Sequence, residues 1–110
     1  MSPLENINDR SSLAVLQHYI HEMVVRRGFD KETPRDVLLL LMEEVGELAK
    51  AIRKYVGLKT DKEKKDKYPA LEGELADVLI YILDLANLLQ VSLFHALHEK
   101  EKENEKRSWK

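Results

Sequence analysis

Apolar residues recur along this chain at the three- and four-residue spacing of helices with one buried face. Leu13, Leu16, Ile20, Met23 and Val24 form the first such set, behind Ser11 and Ser12, either of which can cap a helix start. This predicts a helix from Leu13 to Arg27, ended by Gly28. Thr33-Pro34-Arg35-Asp36 opens a second, with Thr33 as N-cap, Pro34 in the first position and Asp36 in the capping-box position. It continues to Tyr55 and stops at Gly57. The stretch 58–68 reads as a charged linker: five lysines among Asp61, Glu63 and Asp66 suit a solvated loop or a frayed helix end. Pro69 starts a third helix that runs to Leu89. Ser92 caps a fourth, which extends into the charged tail 99–110, near Arg107. Four helices with short connections predict an all-α four-helix bundle, in a single domain over residues 1–110.

The second and third helices are apolar over more than one stripe. Leu38 to Leu41 is a continuous run, and so is Val78 to Leu83 apart from Tyr81. A four-helix monomer covers one side of each helix, so the surplus predicts a homo-oligomer, a homodimer or a homotetramer.

Composition narrows the reading. The 110 residues suit one domain, and 44% hydrophobic with 35% charged residues suits amphipathic helices. Four Gly and three Pro are too few for a turn-rich β protein. A net charge of −2 provides no electrostatic footprint for nucleic acid. The absence of cysteine excludes disulfides and zinc–thiolate sites. The first ten residues lack the apolar core of a signal peptide. The most apolar stretch, Leu75 to Leu89, carries Asp77, Asp84 and Asn87, which argues against a membrane span. The expected setting is cytoplasmic.

Two pairs of acids interrupt these apolar stripes. Glu44 and Glu47 lie three residues apart on the second helix, and Glu74 and Asp77 do so on the third. On a helical wheel with Glu44 at zero, Leu48, Ala51 and Leu40 fall within about 40° and Glu47 at about −60°. Glu43 falls further round, near about −100°. With Glu74 at zero, Val78, Tyr81 and Leu85 fall within about 40° and Asp77 at about −60°. Carboxylates directed into a helical core need compensation, and hard divalent cations with oxygen ligands, Mg2+ above all, provide it. The plain alternative is ordinary surface acids paired with Lys50, Arg53 or Lys54. Composition and spacing reach as far as a helical bundle with a divalent-metal site.

The order Glu44-Val45-Gly46-Glu47, 26 intervening residues, then Glu74-Leu75-Ala76-Asp77 resembles the E-x-x-E…E-x-x-D signature of the MazG-like all-α nucleoside triphosphate pyrophosphohydrolases. The Arg27-Gly28-Phe29 turn, the Thr33–Asp36 opening and Asp77-Val78-Leu79-Ile80-Tyr81 are similar to the dCTP pyrophosphatase branch. So is the tail, where Lys100, Asn104 and Arg107 follow a K-x-x-x-N-x-x-R pattern. The resemblance implies metal-dependent hydrolysis of a nucleoside triphosphate to monophosphate and pyrophosphate, as house-cleaning of surplus or non-canonical nucleotides. It implies Mg2+, with Mn2+ as a substitute, held by Glu44, Glu47, Glu74 and Asp77, and Glu43 serving a second metal. Glu44 and Glu47 are the candidate general bases. Lys100, Asn104 and Arg107 share a helix face and would bind phosphate, and Lys50, Arg53 and Lys54 on the second helix could help, their plain alternative being surface charge. Tyr81 would stack on the base, and Phe29 is the second candidate base contact. Phe29 stands where the dCTP branch tends to carry tryptophan, and the loop from there to Pro34 is one residue shorter, a departure that bears on cytosine specificity.

Other readings compete. His18 and His21, like His95 and His98, have metal-ligand spacing but suit surface or packing roles. A ferritin-type di-iron bundle needs Glu three residues before His, and no histidine here has one. A non-catalytic helical interaction module and a phosphoribosyl-ATP pyrophosphatase-like enzyme remain. Trp109 could pack on a neighbouring subunit.

Overall fold

The computed structural model describes residues 3–107, so Trp109 lies outside the described residues. A 3-10 turn over Pro3–Asn6 precedes four helices: α1 (Leu13–Arg26), α2 (Pro34–Val56), α3 (Asp61–Leu88) and α4 (Leu93–Glu105). There is no strand among the described residues, and the chain is all-α. No single helix among them is long and apolar enough to cross a membrane. The contacts divide the chain into two compact units. The first joins the N-terminal segment up to Lys31 with everything from Leu83 onward; the second is Glu32–Ile82.

In the first unit, the Ser12 hydroxyl accepts the Val15 N–H at 3.1 Å and starts α1. At its end Arg27 and Phe29 N–H groups return to the Met23 and Val24 carbonyls at 2.9 Å, which requires φ +80° at Gly28 between them. Ile20 and Met23 are buried on α1, and Leu83 and Ala86 on α3. A polar knot fastens the same unit. The buried Gln17 amide donates to the Val91 carbonyl at 2.9 Å and to Asn87 Oδ1 at 3.2 Å. Its oxygen accepts the Leu93 N–H at 2.8 Å, and Asn87 returns a hydrogen bond to the Gln17 carbonyl at 2.8 Å. One side chain of α1 thus satisfies the backbone groups freed at the α3–α4 corner. That corner turns at Gln90, φ 57°, in the left-handed region that favours glycine.

In the second unit, Thr33 and Asp36 form the expected reciprocal box. Thr33 Oγ1 accepts the Asp36 N–H at 3.2 Å, and Asp36 accepts the Thr33 N–H at 3.0 Å. These bonds hold the Asp36 carboxyl below its ordinary value. Helix α2 ends at Gly57, and only residues 57–60 separate it from α3. The charged stretch expected as a linker over 58–68 is therefore mostly helix. Thr60 starts it: its hydroxyl accepts the Glu63 N–H at 3.1 Å, and Glu63 in turn accepts the Lys59 N–H at 3.1 Å. Pro69 sits inside α3 rather than at its start. Proline removes one donor from a helix already nucleated by its cap. A tilted ring pair, Tyr55 with Tyr68 at 6.3 Å between centroids, joins α2 to α3 just beyond the turn.

Candidate metal centre

The capped start of α2 fixes the register that puts Glu43, Glu44 and Glu47 in its middle, and the capped start of α3 does the same for Glu74 and Asp77. The short turn and the tyrosine pair bring these stretches together. Glu44, Glu74 and Asp77 each present a carboxylate oxygen, and the three atoms lie within 4.8 Å of one another. This is the one such group of His, Cys, Asp or Glu among the described residues. All three residues belong to the second unit.

Their electrostatics show the strain of that convergence. Glu44 and Glu74 are half-buried and Asp77 is exposed. Partial burial pushes the Glu44 carboxyl above its ordinary value; next comes the hydrogen bond a protonated Glu44 gives Glu74, then the charges of Asp77, Glu74 and Glu47. Glu74 Oε2 is buried without a hydrogen-bond partner. Native structures rarely leave such an atom unsatisfied, and a cation is one remedy. Carboxylate oxygens at this spacing are the ligand set of a hard divalent ion of the Mg2+ type, so the residues fit the group. One face stays open to solvent through Asp77.

The remaining expected ligands and contacts are placed unevenly. Glu47 lies outside the three-oxygen group; it is exposed, and its charge acts on Glu44. Glu43 is exposed and also outside the group. Tyr81 is half-buried on α3, one turn past Asp77. Phe29 is exposed and belongs to the first unit. So do Lys100, Asn104 and Arg107. Lys100 pairs with Glu103 of its own helix at 3.3 Å, and Asn104 donates to Glu101 at 3.3 Å. Two of the histidines have local partners: His18 meets Glu22 at 3.1 Å, and His98 packs on Phe94 at 5.7 Å between rings.

One feature escaped the sequence reading. Next to the acids, α2 and α3 line an open cleft of about 610 Å³ that has Glu47 and Glu74 in its wall with Lys50, Arg53, Lys54 and Lys67, and Ala51, Leu58, Ala70 and Leu71 as its apolar lining. The signal was present: Glu47, Ala51 and Lys54 on α2, and Lys67, Leu71 and Glu74 on α3, each keep to one helix face.

The MazG nucleotide pyrophosphohydrolase domain family matches residues 32–108, which takes in α2, α3 and α4. A search of curated proteins found no match.

Proposed function

Because this chain belongs to the MazG nucleotide pyrophosphohydrolase family, we propose that it hydrolyses a nucleoside triphosphate to the monophosphate and pyrophosphate, with Mg2+ held by Glu44, Glu74 and Asp77. The observation that carries this is the convergence of three carboxylate oxygens within 4.8 Å, one of those residues keeping a buried oxygen without a partner. Bound there, Mg2+ would neutralise the polyphosphate and lower the pKa of a water, with Mn2+ a substitute. The chain's own side chains do the rest. Glu47, exposed beside the group and not part of it, is the carboxylate free to take the proton of the attacking water, with Glu44 the second candidate. A solvent-facing Asp77 leaves an approach for the phosphates. Tyr81, one turn away, offers a ring for the base. The role that suits such chemistry is removal of surplus or non-canonical nucleotides.

The assembly we propose is a homo-oligomer. Leu38, Met42, Val45, Ala49, Ile52 and Val56 follow one another at alternating four- and three-residue steps along α2, and all six are exposed. That spacing is the seam by which helices pair. Light scattering showing a stable monomer at micromolar concentration would remove this element.

The test of the activity is a panel of nucleoside triphosphates with MgCl2, read by pyrophosphate release. The proposal expects release from at least one of them, loss in EDTA, and loss in Glu44→Gln and Asp77→Asn. No release from any nucleotide, or full activity in EDTA, overturns it and leaves the non-catalytic interaction module.

A further inference from the structure

Helix α3 changes character along its length. Its later part holds buried side chains, Leu83, Asp84 and Ala86. Its first turns, residues 61–72, hold none: Lys64 and Leu71 are half-buried and the rest are exposed. The cap bonds of Thr60 and Glu63 stay local. Among the described residues, the Tyr55–Tyr68 pair is the one hydrogen bond, ion pair or ring contact that ties these turns to α2. This is the same lysine-rich stretch whose composition suits a loop and which the structure shows as helix.

Two residues weaken the helix where this stretch joins the rest. Pro69 has no N–H, so the Lys65 carbonyl lacks its helical partner. Gly73 follows one turn later, directly before Glu74 of the metal centre. A Cβ at Gly73 would meet nothing within 4 Å, and its φ is not positive, so neither packing nor backbone conformation requires glycine there. What glycine supplies is a helix that opens more easily than one with alanine. The other end of the stretch is bounded by the turn over residues 57–60. Few buried contacts and a soft joint at each end are the marks of a segment that opens locally while its surroundings stay folded.

The stretch also has something to cover. Lys67, Ala70 and Leu71 form its part of the cleft lining, facing Ala51 and Lys54 of α2. Glu74 belongs both to this cleft and to the three-carboxylate group. We propose that residues 61–72 are a movable wall of the cleft, hinged at Gly73 and at the turn 57–60 and latched by Tyr68 on Tyr55, and that this wall controls access to the Glu74 side of the metal centre. Helix α2 is the fixed wall: its one proline stands at the first position, where it removes no helical hydrogen bond.

Amide hydrogen exchange of the full chain in EDTA, read by mass spectrometry, tests the hinge. Residues 61–72 should exchange at least about tenfold faster than residues 77–88 of the same helix. Gly73→Ala should slow exchange across 61–72 about fivefold, the effect of one glycine on helix opening. Tyr68→Ala should speed it about threefold, the scale of one aromatic pair. Gly46→Ala, the same change on α2, should leave 61–72 as it was. A thiol tests the gating. The chain has no cysteine, so Ala51→Cys places a single thiol at a half-buried position on the fixed wall. Its rate of reaction with DTNB should fall when Gly73→Ala is added and rise when Tyr68→Ala is added. Uniform exchange along α3, or equal slowing of 61–72 by Gly46→Ala, overturns the proposal. So does a thiol rate that neither variant moves, because the turns would then open without gating the cleft. No nucleotide enters these measurements, so a chain without hydrolytic activity can pass them and an active chain can fail them.

Discussion

Glutamine in place of Glu74 should stabilise the metal-free protein and erase its response to Mg2+. Without metal, Glu74 holds a buried Oε2 with no hydrogen-bond partner, and an oxygen within 4.8 Å of those of Glu44 and Asp77. A buried polar atom left unsatisfied costs about 1–3 kcal/mol. Glutamine removes the charge and supplies an N–H that can donate to the neighbouring Glu44 carboxylate. Recovering part of that cost makes the variant more stable in EDTA by about 1 kcal/mol. Mg2+ acts on the parent chain in the same direction. A ligand that binds only the native state at tenfold excess over its dissociation constant adds about 1.4 kcal/mol. The parent should gain this on adding MgCl2 and the variant should not, so the order of stability narrows or reverses between the two buffers. Urea unfolding followed by circular dichroism, in EDTA and in MgCl2, measures both differences. A variant destabilised by more than about 1 kcal/mol in EDTA that still gains from MgCl2 would refute the placement of the metal on Glu74.

Further consequences are accessible by the same methods. The Glu44 carboxyl is pushed above 4.5, so the folded state holds its proton more tightly than the unfolded chain does. That contribution is fully present below 4.5 and is lost as pH rises through the raised value; Glu44→Gln should remove this slope in EDTA, and parallel pH profiles for parent and variant would contradict it. Gln17→Ala strips three side-chain hydrogen bonds and orphans the Val91 carbonyl and the Leu93 N–H, for a loss of about 2–4 kcal/mol in urea unfolding. A loss below about 1 kcal/mol would show that water replaces the knot. Gln90→Gly relieves a left-handed residue at φ 57° and should raise stability by about 0.5–1 kcal/mol; a decrease would mean that the glutamine side chain holds the corner.

Three of the four helix starts were legible from their hydroxyl caps. Ser12, Thr33 and Ser92 each begin a helix and accept the expected N–H. The start of α3 was misread because Pro69 outweighed Thr60-Asp61-Lys62-Glu63. A cap and its acid three residues on nucleate a helix that one missing donor does not stop, even through a lysine-rich stretch. The Gln17 knot had no local sign, since its partners lie 70 to 76 residues away in the chain. The turn at Gln90 lacks the glycine that would have marked it. The acids of the candidate site were legible from their spacing against apolar stripes. Which of them converge was not: spacing equates Glu44 with Glu47, and only the facing of α2 and α3 puts Glu44 beside Glu74 and leaves Glu47 outside. The cleft between α2 and α3 was hidden for the same reason: Lys50, Arg53 and Lys54 were legible as candidate phosphate contacts, but not that they share a lining with Lys67 of α3.

The central claim is that water held at this site attacks the α-phosphorus of a nucleoside triphosphate, and phosphorus NMR of the reaction run in 18O-water tests it most directly. A nucleoside monophosphate carrying the 18O, together with unlabelled pyrophosphate, is the expected result; 18O in the pyrophosphate would place the attack on the β-phosphorus instead. Nucleoside diphosphate with orthophosphate would contradict it, because the site would then be cutting at the far end of the chain.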